Sequence, residues 1–196
     1  MATETKTAKN IQPYHHGDLR QALLDAAFAS IEANGHESIS LAALAKSLGV
    51  SQAAPYRHFP DRNALLAAVA LGSFREFTEH LRNAADKGKK GTRLSRMAHA
   101  YVAFGTARPG IYRLMFASPV LTQAADDDEL KITANQSFTL LVDAIEGEAN
   151  PAKRKRKATH IWVALHGVVM LVSQNLLSGR AGDKEQLDLV EAIIAI

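Results

Sequence analysis

Between Ser51 and His58 the chain gathers Ser51, Gln52, Tyr56, Arg57 and His58 directly after Gly49-Val50. Such side chains offer hydrogen bonds and positive charge. A glutamine amide can bridge N6 and N7 of adenine, while tyrosine, arginine and histidine suit phosphate and sugar. Covalent chemistry has no comparable foothold. The sequence contains no G-x-S-x-G, no H-E-x-x-H and no glycine-rich phosphate loop. His and Asp are plentiful but fall in no readable nucleophile-base spacing. With no cysteine, disulfides, thiolate metal sites and cysteine nucleophiles are excluded. His15-His16 is a poor metal pair, because neighbours at a helix start point apart and no third ligand has useful spacing. No metal, cofactor or catalytic residue is expected.

The elements that position this cluster are helical. Ala and Leu dominate, aromatics make up 6% and apolar residues 47%, which favours an all-α fold with ample core. Leu19, Leu23, Ala27 and Ile31 recur every four residues, predicting an amphipathic helix over 17–34 that ends at Asn34-Gly35. Ser40 caps a short helix through Leu41, Leu44, Ala45 and Leu48. Gly49 stops it, and Ser51 can cap a second helix running through Tyr56 to Phe59. The two are joined by a tight turn, with Ala42 and Ala45 permitting close approach. Pro55 removes one backbone donor, so the start of the second helix stays open between Ser51 and Gln52. Pro60-Asp61 begins a long helix over 62–86. Further helices are read at 92–107, 110–116, 127–146, 151–178 and 184–196, about nine in all.

The segment Ser40-Leu-Ala-Ala-Leu-Ala-Lys-Ser-Leu-Gly-Val-Ser-Gln-Ala-Ala-Pro-Tyr-Arg-His-Phe59 resembles the helix-turn-helix of the TetR family of bacterial transcriptional repressors. Tyr14 to Ala27 is similar to the family's first helix and Phe59-Pro-Asp-Arg-Asn-Ala-Leu-Leu66 to the start of its fourth. Ala54 and Pro55 depart from the family pattern, where a hydroxyl and an aliphatic residue are common. The resemblance implies a double-stranded DNA operator as partner, contacted by the N-terminal turns of the second helix. Ser40, Lys46, Ser51, Gln52, Ala53, Tyr56, Arg57, His58 and Arg62 are the candidate DNA-binding residues. Lys46, Arg62 and the arm residues Lys6 and Lys9 would add sequence-independent attraction.

Ala107-Arg-Pro-Gly-Ile-Tyr-Arg-Leu-Met-Phe116 and Trp162-Val-Ala-Leu-His-Gly167 resemble the effector domain of a TetR subgroup with Trp and His-Gly on a dimer-forming helix. That implies a small-molecule pocket and a homodimer. Tyr101, Phe104, Tyr112, Met115, Phe116, Phe138, Trp162, His166 and Met170 are candidate pocket residues, and core packing is the competing reading for each. Ile161, Leu165, Val168, Val172 and Leu176 form one apolar stripe, and Leu187, Val190, Ile193 and Ile194 a second, together enough for a four-helix bundle between two subunits. The expected organisation is an arm over 1–13, a DNA-binding unit over 14–62 with its linking helix over 62–86, and an effector and dimerisation domain over 87–196.

The net charge of +3 does not by itself identify a nucleic-acid binder. The basic run Lys153–Lys157 opposes its helix dipole and reads as a solvated face. No stretch is long and apolar enough for a membrane span, and Met1 to Asn10 has no signal-peptide core, so a cytoplasmic regulator is expected. The expected function is a repressor released from DNA by an apolar or aromatic effector. A helical ligand- or partner-binding adaptor with a degenerate helix-turn-helix, or an enzyme, is the alternative.

Overall fold

The computed structural model describes residues 19–87, 92–177 and 183–195, with side chains of 183–186 left out. Nine α-helices and two 3₁₀ turns make up the regular structure of those residues. The arm over 1–13, Tyr14, His15-His16, most of the loop after Lys87, and Ser178 lie outside the described residues.

Helix α1 (Leu19–Asn34) buries Leu23, Ala27 and Ile31 completely, as its four-residue spacing dictates. Gly35 follows at φ +79°, the left-handed conformation that lets its N–H reach Ile31 O. After the 3₁₀ turn His36–Ser38, Ser40 caps α2 (Leu41–Ser47), its Oγ accepting from Ala43 N at 3.1 Å. Gly49, at φ +68°, closes α2 in a Schellman motif: Val50 N–H donates to Ala45 O and Gly49 N–H to Lys46 O.

The expected second helix over 51–59 is not an α-helix. A turn at 52–54 leads into the 3₁₀ turn Pro55–Arg57. Ala54 N–H bonds Ser51 O, and Arg57 N–H bonds Ala54 O. Pro55 has no N–H to complete a 55→51 bond and its ring is buried, so the segment closes in tighter turns.

Asp61 caps α3 (Arg62–Asp86), accepting from Ala64 N at 2.8 Å. This helix is the spine of the molecule, touching α1, α4, α5, α6 and α7. Helices α4 (Arg93–Ala107) and α5 (Pro109–Ala117) follow. Next comes α6 (Pro119–Gln123), which the sequence reading treats as an interruption. Ser118 Oγ caps it and Pro119 occupies its first position, where a missing N–H costs nothing. Helix α7 (Glu129–Asp143) is shorter than expected because Asp128 is its cap, accepting from Leu130 N.

Asn150 caps α8 (Pro151–Ser173). It stops before the expected Ser178, with Asn175 at φ 57° ending the run. Helix α9 (Asp183–Ile194) packs on α4 and α8. In the basic run, Arg154 folds back onto Glu148 O, while Lys153, Lys155 and Arg156 are exposed.

One joint ties the N-terminal unit to the larger domain. Gly110 lies so close to α1 that a Cβ there would sit 2.5 Å from Ile31 O. Beside it, Ile111 N–H donates to Glu32 Oε1 at 2.6 Å. Arg108 pairs with Glu76 and lies over the rings of Phe28 and Phe104.

Candidate nucleic-acid interface and effector cleft

Ser51, Gln52, Ala53, Tyr56, Arg57 and His58 are all exposed on one loop edge, while Pro55 and Phe59 anchor that edge in the core. A tyrosine 53% exposed is unusual enough to matter when its neighbour is an exposed arginine. Ser51, Ala54, Arg57 and His58 surround one depression of about 450 Å³ with Leu19, Gly49 and Val50. The rigidity of this edge comes from beneath: Arg20 lies over Phe59, whose ring is 3% exposed.

Ser40 and Lys46 are exposed at the two ends of α2. Ser40 Oγ is occupied as a cap. Arg62 does not sit free for phosphate: its Nε donates to Ile39 O at 3.0 Å and its Nη2 to His36 O at 2.6 Å. Two carbonyls of the 36–39 turn accept from the guanidinium, so Arg62 clamps α2's entry to α3.

In the larger domain the nine candidate pocket residues divide. Tyr101, Phe104, Tyr112 and Met115 are buried and line no open space. Phe77 is their hub, its ring centroid 5.2 Å from that of Tyr101 and 5.0 Å from that of Phe104. The space between Phe77, Tyr101, Phe138 and Trp162 is only about 10 Å³, too small for an organic molecule. Tyr101, Phe104, Tyr112 and Met115, expected to line a pocket, are instead packed in the core, where ring contacts consume the volume.

Phe116, Phe138, Trp162 and His166 instead form the wall of an open cleft of about 450 Å³ between α6, α7 and α8. Leu121, Thr122, Ala134, Asn135, Ser137 and Thr159 complete it, and Met170 is half-buried outside it. The sequence reading missed these six. The Ser118-Pro119 cap signal marks α6 and with it Leu121 and Thr122, whereas nothing local to α7 singles out Asn135.

Behind the cleft runs a chain of polar atoms. Tyr112 Oη is 2.7 Å from His166 Nδ1 and 2.7 Å from Tyr101 Oη. Burial pushes both phenols well above their ordinary pKa, so both stay protonated. Burial also holds the His166 imidazole below its ordinary value, keeping it neutral at pH 7.

Three comparisons with known proteins bear on this arrangement. The family model for bacterial regulatory proteins of the tetR family matches residues 23–69, and the model of the tetracyclin repressor-like C-terminal domain matches residues 94–195. The chain belongs to the TetR family. Among relatives of this TetR-family protein, the HTH-type transcriptional regulator YobS of Bacillus subtilis is 23% identical over 179 residues, covering 90% of this chain and 87% of YobS. The nucleoid occlusion factor SlmA of Marinobacter nauticus is 26% identical over 143 residues, 70% of this chain and 72% of that one. A solved structure from Rhodococcus sp. RHA1, of a protein of unknown function, superposes with a TM-score of 0.79 at 31% identity, covering 94% of this chain and 97% of that one. The TetR-family assignment makes this chain a DNA-binding transcriptional regulator with a helix-turn-helix.

The expected dimer stripes need correction in register. Ile161, Leu165 and Val168 on α8, and Val190 and Ile193 on α9, are buried in the protomer's own core. Val172 and Ile194 are half-buried, and Leu176 and Leu187 are exposed. Helix α8 is apolar on two faces, and periodicity alone does not say which one the protomer uses. The face left outside carries Val163, 57% exposed, and Leu171, 42% exposed, with Gly167 midway between them. Among the described residues no helix is long and apolar enough to cross a membrane, and no three His, Asp or Glu are grouped to hold a metal.

Proposed function

We propose that this TetR-family regulator is a homodimeric, cytoplasmic repressor without enzymatic activity, released from its operator by a small apolar or aromatic effector. The reading is carried by α5. One end of this short helix is tied to α1 of the DNA-binding unit through Gly110, Ile111 and Glu32. Its other end presents Phe116 to the cleft and Tyr112 to His166. An occupant that repositions α5 would therefore move α1 and the exposed 51–58 edge with it. Release follows as a population shift, provided that the effector prefers the conformer whose two edges no longer fit successive major grooves.

Tyr56, Arg57 and His58 make the positioning contacts and Gln52 the base contact in this reading, with Ser51 and Ala53 beside it. Ser40 and Lys46 approach the flanking phosphates, and Arg62 supports them from behind. The dimer forms on the outer face of α8 with Leu187 of α9. A Cβ on Gly167 would meet nothing within 4 Å among the described residues. A mid-helix glycine costs about 1 kcal/mol, and close approach of a second helix is what would justify it.

The test is a joint titration. Duplex DNA selected by the protein from a random pool is held at saturation while aromatic compounds are added. Quenching of Trp162, the sole tryptophan, and loss of DNA anisotropy are read together. Linkage predicts that both change in parallel. Quenching without DNA release would reject the effector role, and steady DNA affinity between 50 and 200 mM salt would reject the phosphate contacts.

A further inference from the structure

We propose that the α6–α7–α8 cleft selects an uncharged, largely apolar molecule bearing a hydrogen-bond acceptor, such as a ketone, ester or lactone carbonyl, and holds that acceptor on the Nε2–H of His166. The proposal rests on reading this cleft as the effector site, and adds the ligand's chemical class and the atom that recognises it.

The argument turns on which way the buried hydrogen bonds point. Among the described residues the Tyr101 hydroxyl has one hydrogen-bond partner, the Tyr112 hydroxyl. If His166 Nδ1 carried the proton and donated to Tyr112, then Tyr112 would donate to Tyr101. Tyr101 would accept that bond, and its own O–H, buried at 4% exposure, would face no acceptor among the described residues. A buried donor left without a partner costs roughly 1–3 kcal/mol. The opposite order leaves no hydroxyl proton over: Tyr101 donates to Tyr112, and Tyr112 to His166 Nδ1. A neutral imidazole accepting at Nδ1 carries its proton on Nε2. Among the described residues that nitrogen has no partner, and it belongs to the ring that lines the cleft.

The remaining walls set the rest of the ligand's character. Apart from His166, the lining contains no ionisable side chain. Thr122, Ser137 and Thr159 donate their hydroxyl protons to carbonyls of their own helices, at Pro119, Ala134 and Lys155. They offer lone pairs and no further donor. Asn135, exposed at the rim, and the indole of Trp162 carry the other donors of the lining. Phe116, Leu121, Phe138 and Trp162 supply apolar contact. A carboxylate here would lose water without gaining a cation, and an ammonium would face the Nε2–H dipole; both penalties spare a neutral carbonyl.

The experiment uses the intact wild-type chain with ¹⁵N-labelled histidine and three matched probes: 2-acetylnaphthalene, 2-naphthoate and 2-naphthylmethylammonium. Two-bond proton–nitrogen correlation reads the protonation of both ring nitrogens, and loss of one ring's signals in His166→Asn assigns the residue. The expected result is a protonated Nε2 in the free protein. The ketone should move that signal and bind roughly tenfold more tightly than either ion. Protonation on Nδ1 would overturn the donor assignment, and tighter binding of the naphthoate or the ammonium would overturn the ligand class. A protonated Nε2 that none of the three probes moves would instead remove the reading of the cleft as the effector site, and the ligand class with it.

Discussion

Tyr56 and Tyr112 have the same side chain in opposite circumstances. Tyr56 is 53% exposed on a loop edge whose backbone is fixed by buried neighbours, whereas Tyr112 is 1% exposed and bonded on both sides. At the first, the protein invests stability elsewhere, in Pro55 and Phe59, so that polar groups can face outward. At the second, the polar group is part of the core, and its hydroxyl specifies one arrangement of α4, α5 and α8. A substitution at the edge should change what the protein binds, and one in the layer should change whether it folds.

The largest effect belongs to neither tyrosine, and it sharpens the contrast by adding an exposed apolar site. Val163→Glu places a charge on the outer face of α8, where the protomer itself has no use for the side chain. Sedimentation should show monomers, with operator binding lost because one half-site alone holds too few contacts. A dimer that persists would move the interface elsewhere.

Next comes Tyr112→Ala, which empties a buried ring position. Urea denaturation should register a loss of about 3–5 kcal/mol. Tyr112→Phe keeps the ring but strands the Tyr101 hydroxyl and His166 Nδ1, for about 1–3 kcal/mol. If the two variants were equally stable as the wild type, the aromatic layer would not be a packed core. Tyr56→Ala should do the reverse: DNA binding weaker by about 1–3 kcal/mol, with stability unchanged within about 0.5 kcal/mol.

The smallest effect is at Glu191, whose carboxyl is held below its usual pKa by the Ser95 hydroxyl and His99. A depressed carboxylate stabilises the fold above its unfolded pKa, and that contribution disappears as pH falls through the folded value. The pair is largely exposed, so the gain is modest. Glu191→Gln should flatten the acid limb of the stability curve slightly, visible in denaturation midpoints between pH 6 and 3; an unchanged limb would make the α4–α9 contact inert.

How much of this was legible in the sequence follows the same division. The helix-turn-helix region is local: Ser40, Gly49 and Asp61 announce its caps and turn within about twenty residues, and all three act as expected. Even there, tertiary packing prevailed over the expected helix through Tyr56 to Phe59, because Pro55 is buried and supplies no N–H. Arg62 read as a phosphate ligand because its two carbonyl partners, 23 and 26 residues away, cannot be seen in a linear pattern. The cleft is non-local throughout. Aromatic residues on α4, α5, α7 and α8 were recognisable as a group, but which of them face a void depends on how four helices pack. For α8, spacing found an apolar stripe and could not say that it faced inward, leaving Val163 and Leu171 outside. Glu32 gave no sign at all, since its function arises only where α5 meets α1.

The central claim, that DNA is held by the exposed 51–58 edge of a fold that does not need those side chains, reduces to one paired measurement on Arg57→Ala. Fluorescence anisotropy on a duplex selected from a random pool, beside urea denaturation of the same samples, reads both halves. The account predicts affinity lower by about 1–3 kcal/mol, roughly 5- to 150-fold, with the denaturation midpoint unmoved. Equal affinity in variant and wild type, with both fully folded, would contradict it.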